Sequence, residues 1–305
     1  MRYPILRMLT VPALALALLA AGCDDSPTEL DSDQTAIESI IAEELDFFTV
    51  DLYGDAADDD PDDPLGRTLA DIEPLRYYRQ ILDVDREVII TVDETADPIV
   101  ADVSWTAVFD GVFHVVDTSA NTYDKDFTDT AVRYAQFTKT GTAADRHRGW
   151  AMTSISGTEV VSSPVTVQIN SVHITSSGGL DVTFDNVSDL IAREDVLIFT
   201  AGDTIMIEVA TGDTSDVIVM HYPAFLQGLH ANRHHVRRMF RNNNDGTFTC
   251  GFVAHRYTYV RGQWREQLGP RHFTIDVLSD GTIYTDDEPY DAIGWGIVYR
   301  VAVPE

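Results

Sequence analysis

The sequence predicts an α+β domain, with helices packed on one face of a curved antiparallel sheet, followed by an all-β sandwich. Three observations carry this expectation. Apolar residues recur at spacings of three and four near residues 37–48, which is helical periodicity. From Val88 onward they alternate with polar residues, which is strand periodicity. Beyond a polar, proline-containing stretch at 156–164, about eight or nine short strands are separated by turns rich in Gly, Asn and Asp.

The chain opens with Arg2, Arg7 and an almost wholly apolar run over 8–21 that ends in small residues. The run is short for a membrane span and suits the apolar core of a secretory leader. The stretch Leu19-Ala20-Ala21-Gly22-Cys23 resembles the lipobox of bacterial lipoproteins, with Ala20 standing where that family usually has Leu. The resemblance implies a signal peptide over 1–22 and a lipid-bearing Cys23. It further implies a polar tether over 23–34 and a place in the cell envelope, on the periplasmic or cell-surface side of a membrane. One acyl chain binds a bilayer marginally, whereas two or three hold firmly.

Composition narrows the partners. The 305 residues carry 50 acidic and 21 basic side chains, a net charge of −29. Aspartate outnumbers glutamate 37 to 13, and the only lysines are Lys125 and Lys139. Such a charge excludes nucleic acid as the main partner, because phosphate neutralisation needs a basic surface. A hydrophobic fraction of 44% is ample for a packed core. With Cys23 lipidated, Cys250 has no partner for an intramolecular disulfide.

Taken in order, the first helix is expected from Thr35, with Ile37, Ile40, Ile41, Leu45 and Phe48 as its apolar stripe. Thr35 and Glu38 fit a capping box. Residues 55–64 hold six Asp and two Pro, a solvated loop without the glycine and terminal Glu of an EF-hand. A second helix is expected over 69–82, carrying Leu75, Tyr78 and Leu82. Strands follow at 88–92, 99–109, 111–116, 131–138 and 149–155.

Within this half, Tyr134-Ala135-Gln136-Phe137 and Arg148-Gly149-Trp150 through Ser156-Gly157 resemble the last two strands of NTF2-like (SnoaL-like, cystatin-like cone) domains. The resemblance spans roughly 35–160. It implies a pocket lined from the pool Tyr77, Tyr78, Trp105, Phe109, His114, Tyr134 and Trp150, with Asp102 and His114 as possible acid–base members. The second half, 161–305, looks Ig-like, although the Cys…Trp…Cys hallmark is missing. Its strands are expected at 165–174, 180–184, 196–199, 204–210, 216–221, 235–241, 247–254, 272–278 and 297–303.

The sharpest shift in composition lies between His221 and His272. That stretch holds eight Arg, two acids and six of the nine His. Two readings stand. Arg233, Arg237, Arg238 and Arg241 could bind an anion such as a sugar acid or lipid headgroup through guanidinium forks. Alternatively, the basic face docks on the acidic first half of the chain. His230 and His234 lie four apart, a zinc spacing on a helix, but no Glu follows His230 and arginines crowd the pair, so no metal is assigned. Cys250 reads as a small strand residue. No phosphate-loop, dinucleotide or nucleophile-elbow motif occurs, and no cofactor is expected. The function expected is non-catalytic binding of an envelope protein, glycan or small ligand; the alternative is a ligand-binding or enzymatic cone.

Overall fold

The computed structural model describes residues 29–44, 47–48, 71–223, 235–255, 257–260, 263–266 and 270–302. Cys23 and the stretch 19–23 read as a lipobox, the Asp-rich stretch 55–64, His230, Arg233 and His234 lie outside them. Helix α1 (Glu29–Glu43) buries Ala36, Ile37, Ile40 and Ile41, the stripe expected from the sequence. It begins earlier than expected, so Thr35 sits inside the helix and caps nothing at its start.

The expected second helix is a strand. β1 (Pro74–Asp93) turns Tyr77 inward, with Ile81, Val84, Ile90 and Val92 packing against the core further along. Leu75 and Leu82, two of the three residues on the presumed helical face, are 61% and 65% exposed. Leu75, Tyr78 and Leu82 satisfy a helical period by accident, while the strand buries a different set. This overturns the α+β class and the NTF2-like recognition together: the described chain is nearly all β, and the segment expected to supply the second helix is a strand of the sheet.

β1 pairs with β2 (Val100–Asp117), β2 with β3 (Thr122–Lys139), and β3 with β4 (Trp150–Ser162), all antiparallel. The two strands expected at 99–109 and 111–116 are one, continuous through Gly111. A side chain there would force the strands to shift: an added Cβ would lie 2.3 Å from the Gln80 carbonyl and 2.7 Å from the Phe127 ring. Along β2 and β3 the odd-numbered residues, from Ala101 to Val115 and from Phe127 to Phe137, are buried on the concave side.

The remaining strands are β5 (Ser171–Ser176), β6 (Asp181–Phe184), β7 (Ile191–Ala192), β8 (Leu197–Thr200), β9 (Thr204–Ala210) and β10 (Val217–Pro223). They continue with β11 (His235–Met239), β12 (Arg241–Asn242), β13 (Thr247–Val253), β14 (Tyr257–Val260), β15 (Gln263–Glu266) and β16 (Arg271–Leu278). A short helix α2 (Asp280–Tyr284), capped by Ser279, precedes β17 (Ala292–Ala302). The Ser279-Asp280-Gly281 turn signal thus starts a helix rather than a hairpin. Gly179 and Gly246, by contrast, hold positive φ in the β5–β6 and β12–β13 turns.

The position expected to divide the chain, 160/161, falls within β4, which pairs with β3 on one side and β17 on the other. One sheet therefore runs β1-β2-β3-β4-β17-β16-β10-β11, curling as it goes, with β7 and β8 attached to β4 and β17. A second sheet, β12-β13-β9-β5-β6, packs on the back of β10, β16 and β17 as a sandwich. Alternation on these shared strands feeds two cores. Ile218, Met220, Phe273, Ile275, Val277, Trp295 and Ile297 face the second sheet; Val217, Val219, Leu278, Ala292 and Val298 face the concave interior. β16 is buried along its whole length.

The chain's two lysines pin the covers of the concave side. Lys139 Nζ lies 2.7 Å from Asp33 Oδ2, tying α1 to β3. Lys125 Nζ donates to the carbonyls of Gly281, Thr285 and Glu288 at 2.8, 2.6 and 2.6 Å, holding α2 and its loop to β3.

Candidate functional site

The curl of the sheet brings β1 across to β16 and β11, and buried charge collects where they meet. Arg79 is turned inward by the same alternation that buries Tyr77. Its Nη1 and Nη2 donate to Asp276 Oδ2 and Oδ1 at 2.8 and 2.9 Å, a two-pronged pair. Its Nε donates to the Tyr290 hydroxyl at 2.8 Å, and that hydroxyl donates to Asp129 Oδ2 at 3.0 Å. His221 Nε2 lies 3.2 Å from Asp276 Oδ2. Asp276, Asp129 and His221 are 0%, 1% and 2% exposed.

Each ionisation follows from this geometry. Burial would raise the Asp276 carboxyl, but the Arg79 guanidinium and His221 overcome it and hold the acid far below the usual carboxylate range. Burial opposes the charge on Arg79, yet Asp276 beside it holds the guanidinium protonated more firmly than in water. Burial raises the Tyr290 hydroxyl well above the normal phenol range, against the pull of Arg79. Burial also lowers His221, despite Asp276, so the imidazole is neutral near pH 7.

Two further contacts complete the closure. Arg237 of β11 donates from Nη1 to the Tyr77 carbonyl of β1 at 2.8 Å, with its guanidinium 4.7 Å from the Tyr77 ring. The two end strands of the curled sheet are thereby joined. Arg133 Nη2 of β3 lies 3.4 Å from His272 Nδ1 of β16.

Chemically this cluster is a tie. A general base needs a lone pair aimed at substrate; here both Asp276 oxygens are engaged by Arg79 and the carboxylate is a poor base. His221 points at that same carboxylate. Tyr290 is committed to Asp129. The groups stabilise one another, and through them β1, β3, β10 and β16.

The residues expected to line a pocket divide between two faces. Tyr77, Trp105, Phe109 and Trp150 are buried in the concave core. Tyr78 and His114 stand together on the convex side, ring centroids 4.6 Å apart, with His114 Nδ1 2.6 Å from Asp124 and Nε2 3.1 Å from Gln80. Tyr134 is 41% exposed on that side, and Asp102 accepts from Gln136 there. A small apolar cleft does exist elsewhere, where β4 and β17 part and β7 and β8 attach. It is lined by Ile155, Ser156, Gly157, Val187, Ile191 and Val298. Its Ser156 hydroxyl is committed to the backbone, donating to Gly157 O and accepting from Tyr134 N.

Of the arginines considered for anion binding, Arg237 is spent on β1 and Arg238 Nη1 donates to the Gly251 carbonyl. Arg241 is exposed on β12. Cys250 is buried in β13, within the sandwich core. Among the described residues, no three His, Cys, Asp or Glu are grouped so as to hold a metal.

Sequence reasoning missed Arg79, Asp129, Asp276 and Tyr290. One signal was present. Asp276 interrupts the apolar run Phe273-Thr274-Ile275-Asp276-Val277-Leu278, and a carboxylate inside a buried strand requires a cationic partner. Arg79 was hidden because its strand reads as a helix.

Compared with known proteins, the chain matches no family model, no curated protein and no solved structure.

Proposed function

We propose that this chain is a non-catalytic binding module, held at the cell envelope through Cys23, that presents a sheet surface to an envelope protein or glycan. The observation that carries the reading is the closure of the Arg79–Asp276–His221–Tyr290–Asp129 cluster. Within it Arg79, Asp276, His221 and Tyr290 hydrogen-bond to one another, so the Asp276 carboxylate and the Tyr290 hydroxyl are committed to structure. In this reading the signal peptide over 1–22 is removed, lipid on Cys23 supplies the anchor, and residues 24–28 begin the spacer. The net charge of −29 turns the module away from nucleic acid and from anionic headgroups.

The test is metabolic labelling with a clickable palmitate analogue, followed by in-cell crosslinking, on the wild-type chain and on Cys23→Ala. The reading expects lipid label on the wild type alone, and a stoichiometric partner captured by the anchored form. Label that persists in Cys23→Ala, or no partner from either form, contradicts it.

A further inference from the structure

We propose that the free edge of β1, with the convex face beside it, docks an extended basic strand of a partner protein. The inference rests on the binding-module reading and assigns to it a surface and a partner class.

β1 ends the curled sheet, and among the described residues its ladder is with β2. Arg237 takes the Tyr77 carbonyl near the start of β1, so the open stretch is 82–93, roughly 40 Å at about 3.3 Å per residue. An unpaired edge offers a row of N–H and C=O groups, which proteins ordinarily blunt with lysine, proline or a covering element. β1 has no lysine, its one proline is its first residue, Pro74, and its register irregularities at 74/76 and 81/83 leave 83–93 in unbroken pairing with β2. It instead exposes Leu75, Leu82, Val88 and Ile89, four of the ten large hydrophobics exposed among the described residues. A fifth, Tyr134, stands in one cross-strand row with Ile89 through Ser104.

Charge selects the occupant. The register places Asp83, Asp85 and Glu87 opposite Asp110, Val108 and Thr106, the even-numbered, convex side of β2, which also carries Asp102. All five carboxylates are exposed, and among the described residues no lysine or arginine pairs with them. Two copies brought edge to edge would set this acid against itself, so the surface disfavours its own kind. A strand alternating Lys or Arg with apolar residues would place its cations over the carboxylates and its apolar side chains on the opposite face, beside Val88 and Ile90. Its backbone would extend the sheet by one strand.

The probe is a short peptide of alternating Lys and Val, titrated by fluorescence anisotropy onto the full chain, with an alternating Glu and Val peptide as control. The Lys–Val peptide should bind, and hydrogen exchange should slow in the amides of 82–93. Affinity should fall at least ~10-fold between about 0.1 M and about 1 M salt, and by a similar factor in the double variant Asp85→Lys/Glu87→Lys. Both positions are exposed, so this variant should keep wild-type circular dichroism. Absence of binding in low salt overturns the proposal, as does equal binding of the Glu–Val peptide. Indifference to the double variant, exchange protection elsewhere, or self-association that protects 82–93 would do the same. A photo-crosslinker at Ile89 and another at Met206, which is 45% exposed on the second sheet, separate the two levels of inference. Crosslinks in cells from Met206 alone would sink the β1 surface and leave the binding-module reading standing. Crosslinks from neither position would remove both.

Discussion

Replacing Asp276 by Asn tests whether the buried cluster is a structural tie. The substitution keeps the shape of the side chain and removes its charge, leaving the Arg79 guanidinium, 4% exposed, to the more distant Asp129 carboxylate, 3.9 Å from Nε. Breaking one side of a buried pair costs about 3–5 kcal/mol, because the surviving charge stays desolvated. For a chain of this size that is a fall in Tm of roughly 10 °C. Urea unfolding at pH 7 reads it as a lower midpoint at unchanged slope. The double variant Arg79→Met/Asp276→Leu removes this pair and keeps the volume; with Asp129 left without its guanidinium neighbour, it should recover part of the loss, to within about 2–3 kcal/mol of wild type. The pH dependence has a definite sign. The native state holds the Asp276 carboxyl below its ordinary value, so its contribution is fully present above about pH 4 and is lost as acid approaches the lowered value. The deficit of Asp276→Asn should therefore shrink below about pH 4. A deficit under about 1 kcal/mol at pH 7, or a double variant as unstable as either single one, would refute the reasoning.

The remaining expectations concern other parts of the frame. Asp216 is 8% exposed, and burial, with Asp213, Asp291 and Asp280 nearby, pushes its carboxyl up to about 6 against the hydrogen bond from Thr211. A raised acid is bound more tightly by the native state, so its stability contribution is fullest below about pH 4 and is lost as pH rises to about 6. Asp216→Asn should accordingly be more stable than wild type by up to ~3 kcal/mol at pH 7, and equal to it at pH 4, in thermal melts. Lys125→Met removes three donors from the carbonyls of Gly281, Thr285 and Glu288 and should cost about 3 kcal/mol. Hydrogen exchange should then accelerate first over 279–291. Gly111→Ala drives a methyl into the Gln80 carbonyl and should cost more than about 2 kcal/mol. Gly294→Ala, whose nearest neighbours lie at 3.5 Å, should be neutral or stabilising by about 0.5 kcal/mol in the same chemical denaturation.

The contrast between what the sequence made legible and what it hid has physical causes. Strands whose two sides differ were readable: β9 falls where alternation put it, and the buried odd-numbered residues of β2 and β3 follow the same rule. The stripe of α1 was readable because Ile37, Ile40 and Ile41 meet one surface. β1 was misread because an edge strand is constrained on one side only, so exposed Leu75 and Leu82 fall where no core selects against them. That single error turned a nearly all-β chain into an α+β one. The cluster was hidden for a different reason. Arg79 and Asp276 are 197 residues apart in sequence, and only the curl of the sheet makes them neighbours. The basic stretch between His221 and His272 was visible as composition; that Arg237 spends its charge on the Tyr77 carbonyl was not.

The central claim is that β1–β4 and the β10–β16–β17 sandwich form one structural unit, joined through β4–β17 and the Arg79–Asp276 tie. The most direct test is urea unfolding followed by fluorine NMR of the chain labelled with 5-fluorotryptophan. Trp105 and Trp150 report from the concave core, and Trp295 reports from the core of the sandwich. The structure leads us to expect one shared midpoint for these three of the chain's four tryptophan resonances, with a lower shared midpoint in Asp276→Asn. A Trp295 transition separated from those of Trp105 and Trp150 would contradict it.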